Sequence, residues 1–290
     1  MSAIAVPSLG RVVGARRVKD TAFTVFLWVC AVLALIPLVV ITFYVVSKGY
    51  QVLGANFFTK EPNAIDPPAG GIVQSFIGTG LIVGIATVIA VPLGVLTAVY
   101  LAEYGRGRFA SLVRLVAEVL LSTPSIVAGA FIWTTVVVTL GQFSALAGGL
   151  SLVVLMWPIV SRAMEEVLRL VPQELREGAL ALGLPRWRMI VKVVIPTAGA
   201  GLLTAIMLAV ARGLGETAPI LLTALGNDFV NLSPSGPTDA LPLRIFSDAR
   251  TPVEALHEFA WGGALVLLVV VLFLSVGARV LATRQQKRTT

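Results

Sequence analysis

A pair of opposite charges lies within an apolar stretch of the sequence. Arg212 and Glu216 are four residues apart in the run Ala-Arg-Gly-Leu-Gly-Glu-Thr-Ala-Pro, residues 211–219, so in a helix they share one face. The guanidinium presents a planar fork of donors that suits an oxyanion, and the carboxylate can accept a proton. Because charge at membrane depth is costly and usually functional, we predict that Arg212, Glu216 and the adjoining Thr217 line a substrate pathway. A purely structural ion pair between helices is the alternative.

A second polar site is predicted around a proline in another apolar stretch. Ser122 and Ser125 flank the dipeptide Thr123-Pro124, and a proline inside a helix removes a backbone hydrogen bond and bends the chain. The hydroxyl groups at this bend would line a polar cavity. Small residues at such a position also permit close helix packing, and the sequence leaves both interpretations open.

The most polar internal segment carries a motif with defined spacing. Pro172 precedes it, and Gly183 followed by Pro185 ends it, which predicts a helix at about 173–184. Its centre reads EGALALG at 177–183, and an Ile-Pro pair follows at 195–196. This spacing resembles the EAA motif of the permeases of ABC importers. Gly178 occupies the position of the first Ala of that motif, which keeps the position small.

The resemblance implies that this helix docks into a groove of a separate ATPase subunit and couples it to the membrane helices. The positions that match the motif, and to which the resemblance assigns this coupling role, are Glu177, Ala179, Gly183 and Pro196. Small side chains allow the helix to enter a groove, and a glycine after the helix permits the chain to reverse its direction. The structural alternative is an ordinary basic loop between two spans.

Six apolar stretches must position these groups. The chain is 57% hydrophobic and only 13% charged, well below the charge of a soluble domain, and a span needs about 20 apolar residues. The predicted spans are 22–47, 77–102, 111–140, 146–168, 198–223 and 260–282. The fold class is therefore all-α, a polytopic membrane protein with six transmembrane helices.

The distribution of lysine and arginine predicts the orientation. Most of the 22 basic residues lie in the two tails and in the second–third and fourth–fifth connections, which the positive-inside rule places in the cytoplasm. Both termini are then cytoplasmic, N-in and C-in. The segments so defined are a basic tail at 1–21, the first transmembrane helix at 22–47, a periplasmic segment at 48–76, a permease core at 77–223, a periplasmic loop at 224–259, the last transmembrane helix at 260–282 and a cytoplasmic tail at 283–290.

Several function classes are disfavoured by what the sequence contains. The net charge of +7 belongs to membrane-flanking loops and does not predict nucleic-acid binding. One cysteine, Cys30, and one histidine, His257, provide neither a disulfide framework nor a metal-binding cluster. No lysine follows a glycine, so a Walker-type phosphate loop is absent. We therefore expect ATP and its magnesium to be bound by a partner ATPase, and no cofactor by this chain.

From about residue 70 to 275 the sequence is similar to the PstA-type permease family of bacterial phosphate ABC importers. The similarity rests on the order of several short motifs: Gly-Gly-Ile at 70–72, Tyr-Leu-Ala-Glu-Tyr at 100–104, Thr-Pro-Ser-Ile-Val at 123–127, the segment 177–196, Gly-Glu-Thr-Ala-Pro at 215–219 and Leu-Pro-Leu at 241–243. The resemblance implies the type I ABC-importer permease fold, in the bacterial cytoplasmic (inner) membrane, with alternating access driven by ATP.

The resemblance also implies a set of partners. They are a PstC-like permease subunit, a PstB-like ATPase dimer, a PstS-like periplasmic or lipid-anchored phosphate-binding protein, and membrane lipid. Three other functions remain open. A permease for another oxyanion, such as molybdate or sulfate, would have the same fold. An ion-coupled carrier would show internal repeats with broken helices, and a membrane-embedded enzyme would need a catalytic constellation at membrane depth.

Overall fold

The computed structural model describes residues 10–63, 66 and 69–289, with the side chains of 16–63, 66 and 69–280. Residues 1–9, 64–65, 67–68 and 290, which belong to the predicted tails and to the predicted segment 48–76, lie outside the described residues. In chain order the α-helices of the described part are α1 (Gly10–Gly49), α2 (Ala55–Thr59), α3 (Val73–Val99), α4 (Arg108–Ser122), α5 (Ser125–Ile132), α6 (Val138–Leu140), α7 (Ala145–Arg169), α8 (Gln173–Ala181), α9 (Arg186–Met189), α10 (Ile195–Leu214), α11 (Ala218–Thr223), α12 (Leu241–Asp248) and α13 (Glu254–Thr289).

The described chain contains helices that match the predicted membrane spans in number. Five are long and apolar enough to cross a membrane, at Arg16–Val52, Val73–Tyr104, Ala145–Arg169, Arg186–Leu214 and Glu254–Val280. A bent pair, Arg108–Ser122 with Ser125–Leu140, gives a sixth if it counts as one span. The all-α, polytopic fold class predicted from the sequence is confirmed. β-structure among the described residues is an isolated bridge between Leu225 and Thr238.

The chain divides into two units, Met1–Lys48 and Gly49–Thr290. In the first, α1 exposes almost all of its apolar side chains, as a helix does that faces lipid or another subunit. In the second, α3 packs along α7, and α10 packs on α7 and α13. Gly94 permits the first of these contacts, because a Cβ there would lie 2.5 Å from Cγ1 of Val160.

Two of the predicted spans are interrupted. The span expected at 111–140 bends by 105° between α4 and α5, at Pro124, which cannot donate a backbone hydrogen bond. The span expected at 198–223 ends at Leu214, and a short second helix, α11, starts at Ala218. Gly215 and Pro219 explain this second break. Glycine weakens a helix, and a proline has no N–H for an intrahelical hydrogen bond and is tolerated in the first turn, where Pro219 lies in α11.

Candidate functional site

Arg212 and Glu216 lie at the break between α10 and α11. Nε of Arg212 is 3.7 Å from Oε1 of Glu216, and the two side chains are 64% and 17% exposed in the isolated chain. Arg212 belongs to the last turn of α10, where the partial negative charge of the helix end favours a cation. The ion pair therefore spans the C-terminal end of one helix and the connection to the next.

An open cavity of about 600 Å³ adjoins this pair. Its polar lining is Arg212, Glu216 and Thr217, and apolar residues of α12 and α13, including Ile245, Leu267 and Val271, form the opposite wall. The structure thus brings together three of the five residues predicted for the pathway. The arrangement can bind an anion at the guanidinium while the carboxylate holds that side chain in place.

The neighbouring glycine fixes which face of α10 meets the cavity. Gly213 packs against α7, since a Cβ there would lie 2.9 Å from Sδ of Met156. The α10 backbone is therefore close to α7 on that side. Arg212, the preceding residue, is exposed and lines the cavity on another side of the helix.

The two predicted serines lie at the other helix break, and one of them satisfies its hydroxyl locally. The hydroxyl of Ser122 donates to the carbonyl oxygens of Glu118 and Val119, at 3.1 and 3.0 Å. Ser125 begins α5. Among the described hydrogen bonds and ion pairs, neither serine is joined to Arg212 or Glu216. The structure therefore separates the predicted pathway residues into two groups.

The helices that follow the two breaks nevertheless pack on each other. α5 contacts α11, and the two helices approach closely at Gly129, where a Cβ would lie 2.6 Å from Cα of Pro219. A side chain at this position would collide with backbone, so the contact depends on glycine. The break beside Arg212 and the break between Ser122 and Ser125 are connected through this contact.

The predicted coupling residues lie on and after α8, at one end of the helix bundle. This end, which also carries α9 and the loop 105–107, is called the α8 end below. Glu177 is exposed and Ala179 is buried. Gly183 has φ of +82°, a left-handed conformation that favours glycine, and it reverses the chain after the helix. Pro196 lies in the first turn of α10, directly after a π-helical turn at Ile190–Val194.

Large apolar side chains are exposed around α8 in the isolated chain. Leu170 is 81% exposed and Leu182 is 85% exposed. Leu175, Leu180 and Trp187 are exposed as well. These side chains lie within residues 170–187, and large exposed apolar groups concentrated in one segment usually mark a contact with another protein.

A buried ion pair that the sequence did not indicate anchors α8. Nε and Nη2 of Arg176 lie 3.1 and 2.9 Å from Oε1 of Glu103, which belongs to the π-helical turn Tyr100–Tyr104 after α3. Arg176 also donates to the carbonyl oxygens of Leu168, at 2.8 Å, and Val171. In the sequence, Arg176 is only one of the basic residues that predict the orientation. The isolated carboxylate of Glu103 at the end of an apolar stretch was the one sequence feature that could have indicated a buried ion pair.

Glu165, a second buried carboxylate at the α8 end, lies close to three arginine side chains. Glu165 is 1% exposed, and its Oε1 lies 2.8 Å from Arg114 and 2.6 Å from Arg169. Its Oε2 lies 3.5 Å from Arg162 at a geometry that gives no hydrogen bond. Arg114 also donates to the carbonyl oxygen of Leu101 at 3.0 Å. The network fastens α4 and α7 to the end of α3.

The opposite end of the bundle, which carries α12, holds a further charged cluster. Arg244 lies 2.6 Å from Asp228 and 2.9 Å from Asp248. Burial raises the pKa of Asp248 to about 6, against the opposing effect of the Arg244 charge. Burial also raises the pKa of Asp239 above its ordinary value, although the Ser75 hydroxyl donates to this carboxylate at 2.5 Å. This cluster joins α12 to the start of α3.

The residues that the structure describes show no group of three or more His, Cys, Asp or Glu side chains placed to hold a metal ion. Cys30 is an exposed residue of α1. The His257 ring nitrogen Nε2 lies 2.7 Å from the carbonyl oxygen of Thr251.

Comparison with known proteins gives a family and several close relatives. Residues 90–290 match the family described as "Binding-protein-dependent transport system inner membrane component". The chain is 42% identical to the phosphate transport system permease protein PstA 1 of Mycobacterium tuberculosis, over 94% of this chain and 91% of that protein. It is 45% identical to the phosphate transport system permease protein PstA of Xylella fastidiosa, over 83% of this chain and 84% of that protein. It is 40% identical to the PstA protein of Yersinia pestis, over 93% of this chain and 92% of that protein.

Solved structures share the fold at low sequence identity. A chain of the bacterial alginate ABC transporter, in complex with its pentasaccharide-bound periplasmic protein, aligns with a TM-score of 0.63 and 15% identity, over 92% of this chain and 95% of that chain. A chain of the MetNI methionine ABC transporter, in an inward-facing conformation, aligns with a TM-score of 0.55 and 18% identity, over 74% and 94%. The described helices thus have the arrangement found in the type I permeases of such importers.

Proposed function

Because this chain belongs to the family of binding-protein-dependent transport system inner membrane components, we propose that it forms half of the membrane pathway of an ATP-driven importer of inorganic phosphate. The observation that carries the proposal is the 42% identity along 94% of the chain to a protein named as a phosphate transport system permease. The chain is a multi-pass protein of the cytoplasmic membrane and works in a complex with an ATPase and a binding protein. It is a transporter subunit and not itself an enzyme.

The cavity beside Arg212 supports an anionic substrate. The guanidinium is exposed to the cavity and offers a planar donor fork to phosphate oxygens. Glu216 limits the net charge of the site, so that the anion is released as well as bound. The substrate pathway that we propose includes Arg212, Glu216 and Thr217 from this break, with Ser122 and Ser125 at the break on the other side of the α5–α11 contact.

The α8 end supports coupling to a separate ATPase. The exposed leucines beside α8 provide an apolar surface for a partner protein. The ion pair of Arg176 with Glu103 transmits a movement of α8 to the end of α3. We assign Glu177, Ala179, Gly183 and Pro196 to this docking segment. In this proposal the α8 end faces the cytoplasm, both termini are cytoplasmic, and the loops around α12 face the binding protein in the periplasm.

The finer composition of the complex is part of the proposal. We assign a PstC-like subunit as the second half of the pathway, a PstB-like dimer as the ATPase that binds ATP and magnesium, and a PstS-like protein as the phosphate donor. This chain binds no cofactor of its own. ATP-driven closure of the ATPases moves the two coupling segments together and opens the helix bundle outward, and hydrolysis resets it.

The decisive experiment is uptake by the complete four-component complex in vesicles, with ATP present or absent inside and with phosphate, sulfate or molybdate as the labelled anion. We expect uptake of phosphate that requires both ATP and the binding protein. Uptake without ATP would instead indicate an ion-coupled carrier. Selective uptake of sulfate or molybdate by an ATP-hydrolysing complex would assign the pathway to another oxyanion.

A further inference from the structure

The α8 end holds a polar cavity that the transport pathway does not use. It has a volume of about 270 Å³ and lies between the turn after α3, the end of α7, and helices α8 and α9. The charged side chains that line it are Glu103, Arg106, Arg169, Arg176 and Arg186. The arginines outnumber the single carboxylate, so the lining is cationic.

Two of the four arginines pair with buried carboxylates. Arg176 pairs with Glu103 at 2.9 Å, and Arg169 pairs with Glu165 at 2.6 Å. Arg106 and Arg186 form no ion pair with a carboxylate among the described residues. These two side chains, which are both exposed, are therefore the cations of the cavity that no carboxylate holds.

Arg186, one of these two arginines, is already oriented by an aromatic ring. Cζ of Arg186 lies 5.3 Å from the centroid of the Tyr104 ring. A cation–π contact of this kind positions a guanidinium without neutralising its charge. Tyr104 also lines the cavity, so the contact keeps Arg186 at the cavity wall. Gln173, a further lining residue, adds an uncharged amide donor.

We propose that this cavity binds one phosphoryl oxyanion, with Arg106 and Arg186 as its ligands. Arginine binds phosphoryl oxygens through two parallel hydrogen bonds, and basic pockets at the cytoplasmic ends of membrane helices accept anionic headgroups. The oxyanion has two possible sources, inorganic phosphate in the cytoplasm and the headgroup of an anionic phospholipid. Both present the same chemical group to the same two guanidiniums.

The bound oxyanion adds a further connection between elements that the pair of Glu103 and Arg176 and the contact of Arg186 with Tyr104 already join. Arg106 lies in the loop after α3, and Arg186 begins α9. A ligand held by both fastens α9 and the adjoining α8 to the end of α3. The site therefore regulates how firmly the coupling segment is held. The inference concerns binding at the α8 end and does not depend on which anion the complex transports.

The test measures binding by the complete transporter in nanodiscs. In one arm the lipid is zwitterionic phosphatidylcholine, and radiolabelled inorganic phosphate is added by equilibrium dialysis. In the other arm phosphate is omitted, the lipid contains phosphatidylglycerol, and the lipid retained by each complex is counted by native mass spectrometry. Both arms compare the wild type with the double variant Arg106→Gln, Arg186→Gln.

A matched double variant provides the control. Arg108→Gln removes an exposed arginine at the start of α4, directly after the loop of Arg106, and Arg188→Gln removes an exposed arginine of α9. Arg188 also stacks on an aromatic ring, that of Trp187, at 5.1 Å. Neither residue is among those that line the cavity. If the double glutamine variant does not assemble, Arg186→Lys takes its place, because it keeps the charge and loses the planar fork.

A rise of about tenfold or more in the phosphate dissociation constant of the 106/186 variant, with no change in the control, assigns the site to free phosphate. Loss of retained phosphatidylglycerol in that variant alone assigns it to a lipid headgroup. Equal behaviour of the two double variants in both arms overturns the proposal. Phosphate bound in the pathway is common to all variants and leaves the comparison unaffected.

Discussion

Arg176 and Glu103 are 73 residues apart in the chain and form an ion pair in which Nη2 and Nε of Arg176 lie 2.9 and 3.1 Å from Oε1 of Glu103. Their side chains are 11% and 4% exposed, so water screens the pair weakly. One residue belongs to the segment assigned to ATPase docking, and the other to the end of a membrane span. The pair is therefore a direct mechanical connection between the two.

The first prediction concerns this connection. Arg176→Gln leaves the Glu103 carboxylate buried without its partner, and breaking a buried pair in this way costs about 3–5 kcal/mol. We expect the complex to hydrolyse ATP with a reduced number of anions imported for each ATP. Parallel measurements of uptake and ATP hydrolysis give this ratio, and Arg188→Gln is the control for loss of one positive charge at the α8 end.

The double variant Glu103→Gln, Arg176→Gln separates charge from packing. Because it leaves no isolated buried charge, we expect it to recover part of the thermal stability that the single variant loses. A single variant with an unchanged transport ratio and unchanged stability would show that α8 is held by other contacts.

The second prediction compares two glycines on the docking segment. Gly183 has φ of +82°, and a Cβ at either Gly178 or Gly183 would meet no other atom within 4 Å. Gly178→Ala should therefore stabilise α8 by up to about 1 kcal/mol, as alanine does inside a helix. Gly183→Ala should cost about 1–2 kcal/mol from backbone strain alone.

Co-purification with the ATPase and thermal unfolding of the complex measure this difference. The Gly183→Val variant should lower recovery of the assembled complex further, since a β-branched residue is still less tolerant of positive φ. Full recovery and normal transport by Gly183→Val would argue against a docking role for this turn.

The sequence was sufficient for the helical class and the number of spans, because these depend on long apolar runs that a short window already shows. It also predicted a helix at about 173–184, since Pro172 and Gly183 act on their immediate neighbours, and the structure has α8 at Gln173–Ala181. The bend at Pro124 followed from the same local rule. Each of these features depends on residues within a few positions of one another.

The anchoring contacts were not predictable from the sequence in the same way. Glu103 and Arg176, or Gly129 and Pro219, are brought together by the packing of distant helices, and no local pattern marks them as partners. The interruption at 215–217 was missed as well, because the apolar stretch continues through Gly215 and Pro219 to residue 223. Here the backbone preferences of two residues outweigh the hydropathy of the whole stretch.

The third prediction tests the pathway assignment of Arg212. Its side chain is 64% exposed, so Arg212→Gln leaves assembly intact and removes the guanidinium from the cavity. We expect uptake, measured as kcat/KM, to fall by about 10- to 100-fold, the loss that accompanies removal of a charge-assisted hydrogen bond. Arg108→Gln, at an exposed position outside the cavity, should transport normally. Undiminished uptake by the Arg212 variant would remove this residue from the mechanism.

The fourth prediction concerns the contact between the two broken spans. A Cβ on Gly129 would lie 2.6 Å from Cα of Pro219, and backbone cannot yield as a flexible side chain does. Gly129→Ala should therefore destabilise the packing of α5 on α11 by about 1–3 kcal/mol and lower uptake. Gly80→Ala is the matched control, since a Cβ there meets no atom within 4 Å. Equal thermal stability of the two variants would show that the α5–α11 contact is loose in the membrane.

The last prediction is a pH dependence at the α12 end. Burial raises the pKa of Asp248 from 3.8 to about 6, so the folded chain holds this proton more tightly than the unfolded chain does. The stabilising contribution is complete below about pH 4 and is lost as the pH rises through about 6, by on the order of 3 kcal/mol at most. Asp239, whose pKa burial also raises, changes stability in the same direction.

Hydrogen exchange of 241–248, corrected for the intrinsic rate at each pH, measures this effect between pH 4 and pH 7. Protection of α12 should decrease over that range in the wild type, and the decrease should be smaller in Asp248→Asn, which no longer titrates. Asp228→Asn is the matched control, because it removes the other carboxylate on Arg244 and keeps Asp248. If Asp248→Asn retained the full pH dependence of the wild type, the proton would have to reside on Asp239, whose buried carboxyl group is the remaining acid with a raised pKa among the described residues of this cluster.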